Sequence, residues 1–166
     1  MKLNDTIFNL LLKEIDKTPI ASDEEVINRS TIPAHFKKVQ ENKATTYIDG
    51  TLIHLSTKND NLNNIIKDIT NRDTEHIIAF HLMTSEPPAY VSEHKDSGSD
   101  LTLVILLEDK FEGGYAYIEG KQYEGMRTSG EYIMYKGGEV SHSVSKITKG
   151  RRKVLVVWYK KPKNLL

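Results

Sequence analysis

The tripeptide His94-Lys95-Asp96 sets an imidazole and a carboxylate two residues apart, just before the turn-forming Ser97-Gly98-Ser99. On an extended segment, residues two apart point to the same side, so both side chains can address one ion. A third donor must come from another strand, and His142, within Glu139-Val140-Ser141-His142-Ser143-Val144, is the candidate. Two imidazoles and one carboxylate on one face of a first-row metal, with the remaining positions open, suit Fe(II). The open positions matter because a cosubstrate and dioxygen can then bind the same ion. H-x-D alone is a common tripeptide, and a charged loop tip would carry it equally well.

Ten residues after His142 stands Arg152, in Gly150-Arg151-Arg152, where the apolar run Val154-Leu155-Val156-Val157-Trp158 begins. Alternation puts Arg152, Val154, Val156 and Trp158 on one strand face and Arg151, Lys153, Leu155 and Val157 on the other. A guanidinium entering a barrel there offers a planar fork to a carboxylate. A dicarboxylate held by iron at one end and by Arg152 at the other is 2-oxoglutarate. The remaining histidines, His35, His54, His76 and His81, read as hydrogen-bonded or exposed groups outside this set.

Strands must carry these groups, and the sequence changes to a strand pattern from Glu75 onward. Strands are expected over 76–83, 101–107, 115–119, 131–136, 140–145 and 152–160, broken by Glu86-Pro87-Pro88 and by glycines at 113, 114, 120, 125, 130, 137, 138 and 150. Short strands at this spacing suggest a sandwich or jelly-roll. The first half supplies the support. Leu3, Ile7, Leu10, Leu11 and Ile15 predict an amphipathic helix over 4–17, and Leu62, Ile65, Ile66 and Ile69 another over 60–71. Ser22 and Glu25 have the spacing of a capping box for a short helix that Pro33 would close. Residues 45–48 and 51–55 read as a hairpin about Asp49-Gly50. The expected fold is α+β and mainly β, a jelly-roll core braced by N-terminal helices. One domain is expected over 1–166, with helical and strand support in 1–75 and the catalytic core in 76–160. Loops 84–93 and 120–130 are expected to flank the mouth of the site.

Composition narrows the chemistry. Lys plus Arg is 23 and Asp plus Glu is 23, which argues against binding nucleic acid or an anionic membrane by bulk charge. The segment 140–166 is basic and has no acidic residue; protection of strand edges is the favoured reading over a nucleic-acid footprint. The absence of cysteine removes disulfides, thiolate metal sites and Cys nucleophiles, so any metal falls to His, Asp and Glu. In MKLNDTIFNLLLKEIDK the longest apolar run is Leu10 to Leu12, too short for a signal peptide or a span. A soluble, intracellular protein with no membrane partner is expected.

The order of these pieces resembles the Fe(II)/2-oxoglutarate-dependent dioxygenases, and within them the prolyl-4-hydroxylase-like branch. The resemblance runs through His94-Lys95-Asp96, Thr102-Leu103-Val104-Ile105-Leu106-Leu107-Glu108-Asp109, Glu112-Gly113-Gly114 and Gly130-Glu131-Tyr132-Ile133-Met134-Tyr135. It continues through His142-Ser143-Val144, Gly150-Arg151-Arg152 and Val157-Trp158-Tyr159. It implies a double-stranded β-helix with His94, Asp96 and His142 as iron ligands and Arg152 as partner of the distal carboxylate of 2-oxoglutarate. It implies Fe(II), 2-oxoglutarate and dioxygen as cofactors, with ascorbate a further candidate. The implied reaction hydroxylates a C–H bond, with a protein prolyl side chain as the expected substrate, and releases succinate and carbon dioxide. Tyr90 and Thr102 are candidates for the cosubstrate pocket and Trp158 for the substrate pocket. Oxygen-sensing members carry a tyrosine in the strand matching 102–107 that also binds 2-oxoglutarate; here that position is Leu106. The same chemistry on a nucleobase or small molecule is one alternative, and a non-catalytic jelly-roll binding module is another.

Overall fold

The structure, a computed structural model, describes residues 1–22, 25 and 50–161. Along them run helix α1 (Asp5–Lys17), strand β1 (Gly50–Leu55), helix α2 (Asp60–Thr70), a 3-10 turn (Thr74–His76), β2 (Ile77–Ser85), β3 (Val91–His94) and β4 (Leu101–Glu108). There follow β5 (Phe111–Gly113), β6 (Ala116–Ile118), β7 (Lys121–Gln122), β8 (Tyr132–Tyr135), β9 (His142–Val144), β10 (Ile147–Gly150) and β11 (Arg152–Tyr159). The large sheet has the order β1-β2-β11-β4-β8, the small one β3-β9-β6-β7, and β10 pairs with β5. All these pairings are antiparallel, as a jelly-roll core requires.

Strand β11 lies at the centre of the large sheet, and its alternate residues serve two different interiors. Leu155, Val157 and Tyr159 join Phe80, Leu103 and Ile105 in a core completed by Leu11 and Ile15 of α1 and by Leu62 and Ile66 of α2. Val154, Val156 and Trp158 pack on the opposite face with Leu106 and Met126. A strand covered on both sides reads as a continuous apolar run, which is why 154–158 carries no polar residue. Pairing aligns Ala79, Trp158, Thr102 and Tyr135 in one row across the sheet, and His54, His81, Val156, Val104 and Ile133 in another.

The helices end where their caps dictate. Asn4 Oδ1 accepts from the Ile7 N–H at 2.9 Å to start α1, and Asn59 Oδ1 accepts from Asn61 and Leu62 to start α2. Asn71, in the left-handed region with φ 54°, closes α2. The end of α2 is tied to the sheet by Thr70 Oγ1 against Tyr159 Oη at 3.0 Å and by Arg72 against Asp100 at 2.5 Å.

The helices and the long strands fall where the sequence places them, with three differences. Leu10 is exposed rather than part of the buried stripe of α1, because the helix turns Leu11 and Ile15 inward. Strands β5, β7 and β10 were not expected; at two to four residues they are too short for alternation to register. The partner of β1 among the described residues is β2, while residues 45–48 of the expected hairpin lie outside them. Glu25 N–H does donate to Ser22 Oγ at 3.1 Å, and Pro33 lies outside the described residues. No helix among the described residues is long and apolar enough to cross a membrane.

Candidate metal centre

Strands β3 and β9 bring His94 and His142 directly opposite each other in the small sheet, so both rings leave the same face. Each ring is set by the same local bond. His94 Nδ1 donates to the Ser92 carbonyl at 2.7 Å, and His142 Nδ1 donates to the Val140 carbonyl at 2.9 Å. With Nδ1 committed as donor, Nε2 of each ring presents a lone pair to the site. Asp96 follows β3 in a tight turn in which the Ser99 N–H donates to the Asp96 carbonyl, and the Asp96 N–H donates to the Gly137 carbonyl at 2.7 Å. Its side chain is 1% exposed.

The two oxygens of Asp96 divide between the rings. Oδ1 lies 3.3 Å from His94 Nε2, and Oδ2 lies 3.3 Å from His142 Nε2. One ligand atom from each of the three residues lies within 4.8 Å of the others. Ligand bonds of about 2.1 Å at right angles put neighbouring donors about 3 Å apart, so the observed spacing fits one small ion. A carboxylate and two neutral imidazoles are the donor set of a non-haem Fe(II) centre, and these residues fit it. Burial pulls the His94 imidazole down, but the Asp96 hydrogen bond, the Ser92 carbonyl and the Asp96 charge together hold its pKa above the ordinary 6.5.

The three residues open into a cavity of about 90 Å³ between the sheets. Val104, Ile133, Val154, Val156 and Trp158 make an apolar wall from the large sheet. Among the described residues Arg152 is the only Lys or Arg that lines it, and it is 4% exposed. Tyr135 also lines it, with its ring 4.7 Å from that of His142. Burial, reinforced by the Asp96 charge and opposed by Arg152, lifts the Tyr135 phenol well above its usual 10.0, so it stays a donor.

The sequence-predicted residues divide accordingly. His94, Asp96, His142, Arg152 and Trp158 meet in one cavity. Thr102 is not a pocket residue: it is fully buried beside Asp96 and donates to Asp96 Oδ2 at 2.8 Å. Tyr90 is not one either: it is 39% exposed, and its neighbour Val91 lines the cavity instead, a one-residue offset that reverses the strand face. Leu106 is buried in the apolar cluster with Met126 and Val154. Sequence reasoning missed Tyr135, which entered only as the end of the stretch Gly130-Glu131-Tyr132-Ile133-Met134-Tyr135. Its signal was alternation with Tyr132 and Met134, which pack toward the helices while Ile133 and Tyr135 face the cavity.

Outside the site, His81 is buried between His54 and Trp158, with ring centroids 4.2 Å apart on each side. His76 sits in the 3-10 turn beside Glu75. The basic C-terminal stretch is partly matched by acids of β4 and β5: Arg151 makes a two-pronged contact with Glu108 at 2.7 and 2.9 Å. Lys153 also reaches Glu108, and Lys149 reaches Glu112.

No protein-family model matches the sequence, and no curated protein matches it. Solved structures do match the fold. A Pseudomonas putida prolyl-4-hydroxylase superposes with a TM-score of 0.52 at 13% identity, covering 93% of this chain and 99% of its own. An oxidoreductase of the 2OG-Fe(II) oxygenase family from Burkholderia pseudomallei gives 0.52 at 13% identity, covering 76% and 77%. A predicted oxalate decarboxylase from Thermotoga maritima superposes more loosely, at 0.47 and 19% identity, covering 69% and 90%. At these identities the likeness is one of fold.

Proposed function

We propose that this chain is an Fe(II)- and 2-oxoglutarate-dependent dioxygenase that hydroxylates a C–H bond, with a protein prolyl side chain as the first substrate to test. The observation that carries this reading is the pair of tautomer-fixed imidazoles facing the two oxygens of Asp96 in the cavity that also holds Arg152. The fold shared with the Pseudomonas putida and Burkholderia pseudomallei proteins supports it, and the order of motifs supports the prolyl class.

Fe(II) bound there, with 2-oxoglutarate and dioxygen, supplies C–H hydroxylation with release of succinate and carbon dioxide. The chain's own part is binding, orientation and dryness. His94, Asp96 and His142 hold the ion on one side and leave the cavity side open. Arg152 takes the distal carboxylate of the cosubstrate through a charge-assisted fork. Tyr135, neutral at any working pH, donates a hydrogen bond into the same space. Val104, Ile133, Val154 and Val156 exclude water, which strengthens each polar contact inside. Trp158 borders the space that remains for substrate.

The test is anaerobic calorimetry of 2-oxoglutarate with the Fe(II)-loaded protein, comparing the native chain with Arg152→Ala. Metal-dependent binding that weakens at least tenfold in the variant is the expected result. A folded native protein that binds no 2-oxoglutarate overturns the proposal in favour of a jelly-roll binding module. Turnover on single-stranded nucleic acid with none on proline peptides would keep the chemistry and replace the substrate.

A further inference from the structure

We infer that Thr102 is a positioning residue that decides which oxygen of Asp96 a metal ion takes, and so keeps coordination positions open for the cosubstrate. The inference rests on the metal reading above and goes beyond it. Both oxygens of Asp96 face the imidazoles, each 3.3 Å from one Nε2. A carboxylate in that attitude can clamp an ion through both atoms, and each position it fills is lost to a ligand that must chelate.

Thr102 breaks this symmetry. Its hydroxyl donates to Oδ2 at 2.8 Å, and an ionised carboxylate can only accept, so the direction of the proton is fixed. Ser99 Oγ lies 3.2 Å from Thr102 Oγ1 and gives its own proton to the Leu101 carbonyl. Of the two acceptors within reach of the single Thr102 proton, the Asp96 carboxylate is the closer and the charged one. An oxygen whose charge is drawn by a strong hydrogen bond is a poorer metal donor than its partner, which leaves Oδ1 the more basic of the two. Oδ1 is therefore the ligand atom.

Gly137 shows that the fold makes room for this bond. A Cβ there would lie 2.1 Å from Thr102 Oγ1 and 2.9 Å from Asp96 Oδ2. Its φ is not in the left-handed region, so space rather than backbone conformation calls for glycine. The carbonyl of the same residue accepts the Asp96 N–H.

The test uses Co(II) as the probe, with 2-oxoglutarate added to the Co(II)-loaded protein. Thr102→Val is expected to bind Co(II) within threefold of the native affinity, with a changed visible absorption band that reports the second oxygen on the ion. Its affinity for 2-oxoglutarate is expected to fall at least tenfold, and Thr102→Ser to restore both readouts. Gly137→Ala keeps Thr102 but crowds its hydroxyl, and is expected to behave as Thr102→Val does. Thr102→Ser and Gly137→Ala carry the comparison if Thr102→Val does not fold. A native spectrum and native 2-oxoglutarate affinity in Thr102→Val overturn the inference. So does loss of Co(II) and 2-oxoglutarate by the same factor, which would make the hydroxyl a mere prop. Native protein that takes up no Co(II) overturns the metal reading itself, and this inference with it.

Discussion

His94 and His142 reach their common orientation by the same local bond, Nδ1 to the carbonyl two residues upstream, so each strand carries its own setting of the ring. Ring orientation then depends little on the rest of the molecule. We expect His94→Ala and His142→Ala to lower Mn(II) affinity by at least about 100-fold, more than loss of an outer partner does, while far-ultraviolet circular dichroism stays native. Tyr135→Phe keeps the ring beside His142 and removes only the hydroxyl. One hydrogen bond is worth about 0.5–1.5 kcal/mol net, so 2-oxoglutarate should bind roughly 3- to 10-fold more weakly, read by calorimetry. The three residues that meet at the candidate site were legible in the sequence because H-x-D is local and no cysteine competes with them. The bond of Thr102 to Asp96 and the place of Tyr135 beside His142 were not, because they depend on cross-strand register, which places Tyr135 opposite Thr102 and Thr102 opposite Trp158. No spacing along the chain encodes that row.

Among the elements, the segment between β7 and β8 adds one residue to a cavity wall made mainly by the small sheet. Met126, with φ 63° and 2% exposed, reaches the cavity from this segment. Its neighbour Arg127 stacks between Phe111 and Tyr115 at 4.7 and 4.2 Å and donates to the Gly113 carbonyl at 2.8 Å. Glu131 accepts from the N–H groups of Arg127 and Thr128 at 2.6 and 2.8 Å. Arg127→Ala should therefore release the segment, costing about 1–3 kcal/mol in urea unfolding through lost stacking and an unpaired carbonyl, with faster proteolytic cleavage between β7 and β8. The expectation that loop 120–130 flanks the site was legible from its glycines; that it inserts a methionine was not. At this scale the sequence showed what was long. Helices α1 and α2 and strands β2, β4 and β11 follow from their apolar patterns, whereas the pairing of β3 with β9 is not written along the chain.

For the whole molecule, the balance of 23 basic and 23 acidic residues leaves pH sensitivity to buried groups rather than to net charge. Burial raises Tyr135, with the Asp96 charge adding and Arg152 opposing. It also raises Tyr159, against the Thr70 hydrogen bond and the Arg72 charge. Below pH 10 both phenols are protonated in folded and unfolded chains alike, so they add no pH dependence. Above about 10 the unfolded chain ionises first, binds fewer protons than the folded one, and stability falls as pH rises toward the folded values. The urea midpoint should accordingly drop as pH rises above about 10, and less steeply in Tyr135→Phe; equal slopes would show that Tyr135 titrates normally.

Strand β11 shows how such a molecule could remodel its cavity without losing its fold. Its even-numbered residues, 152 to 158, meet the ligand space, and its odd-numbered residues, 155 to 159, meet the helices. Two demands are thus written on one strand by parity. Changes at Val154, Val156 or Trp158 remodel the chamber while the helical buttress keeps its contacts. A lineage could vary the chamber along the even register while the odd register is inherited almost untouched.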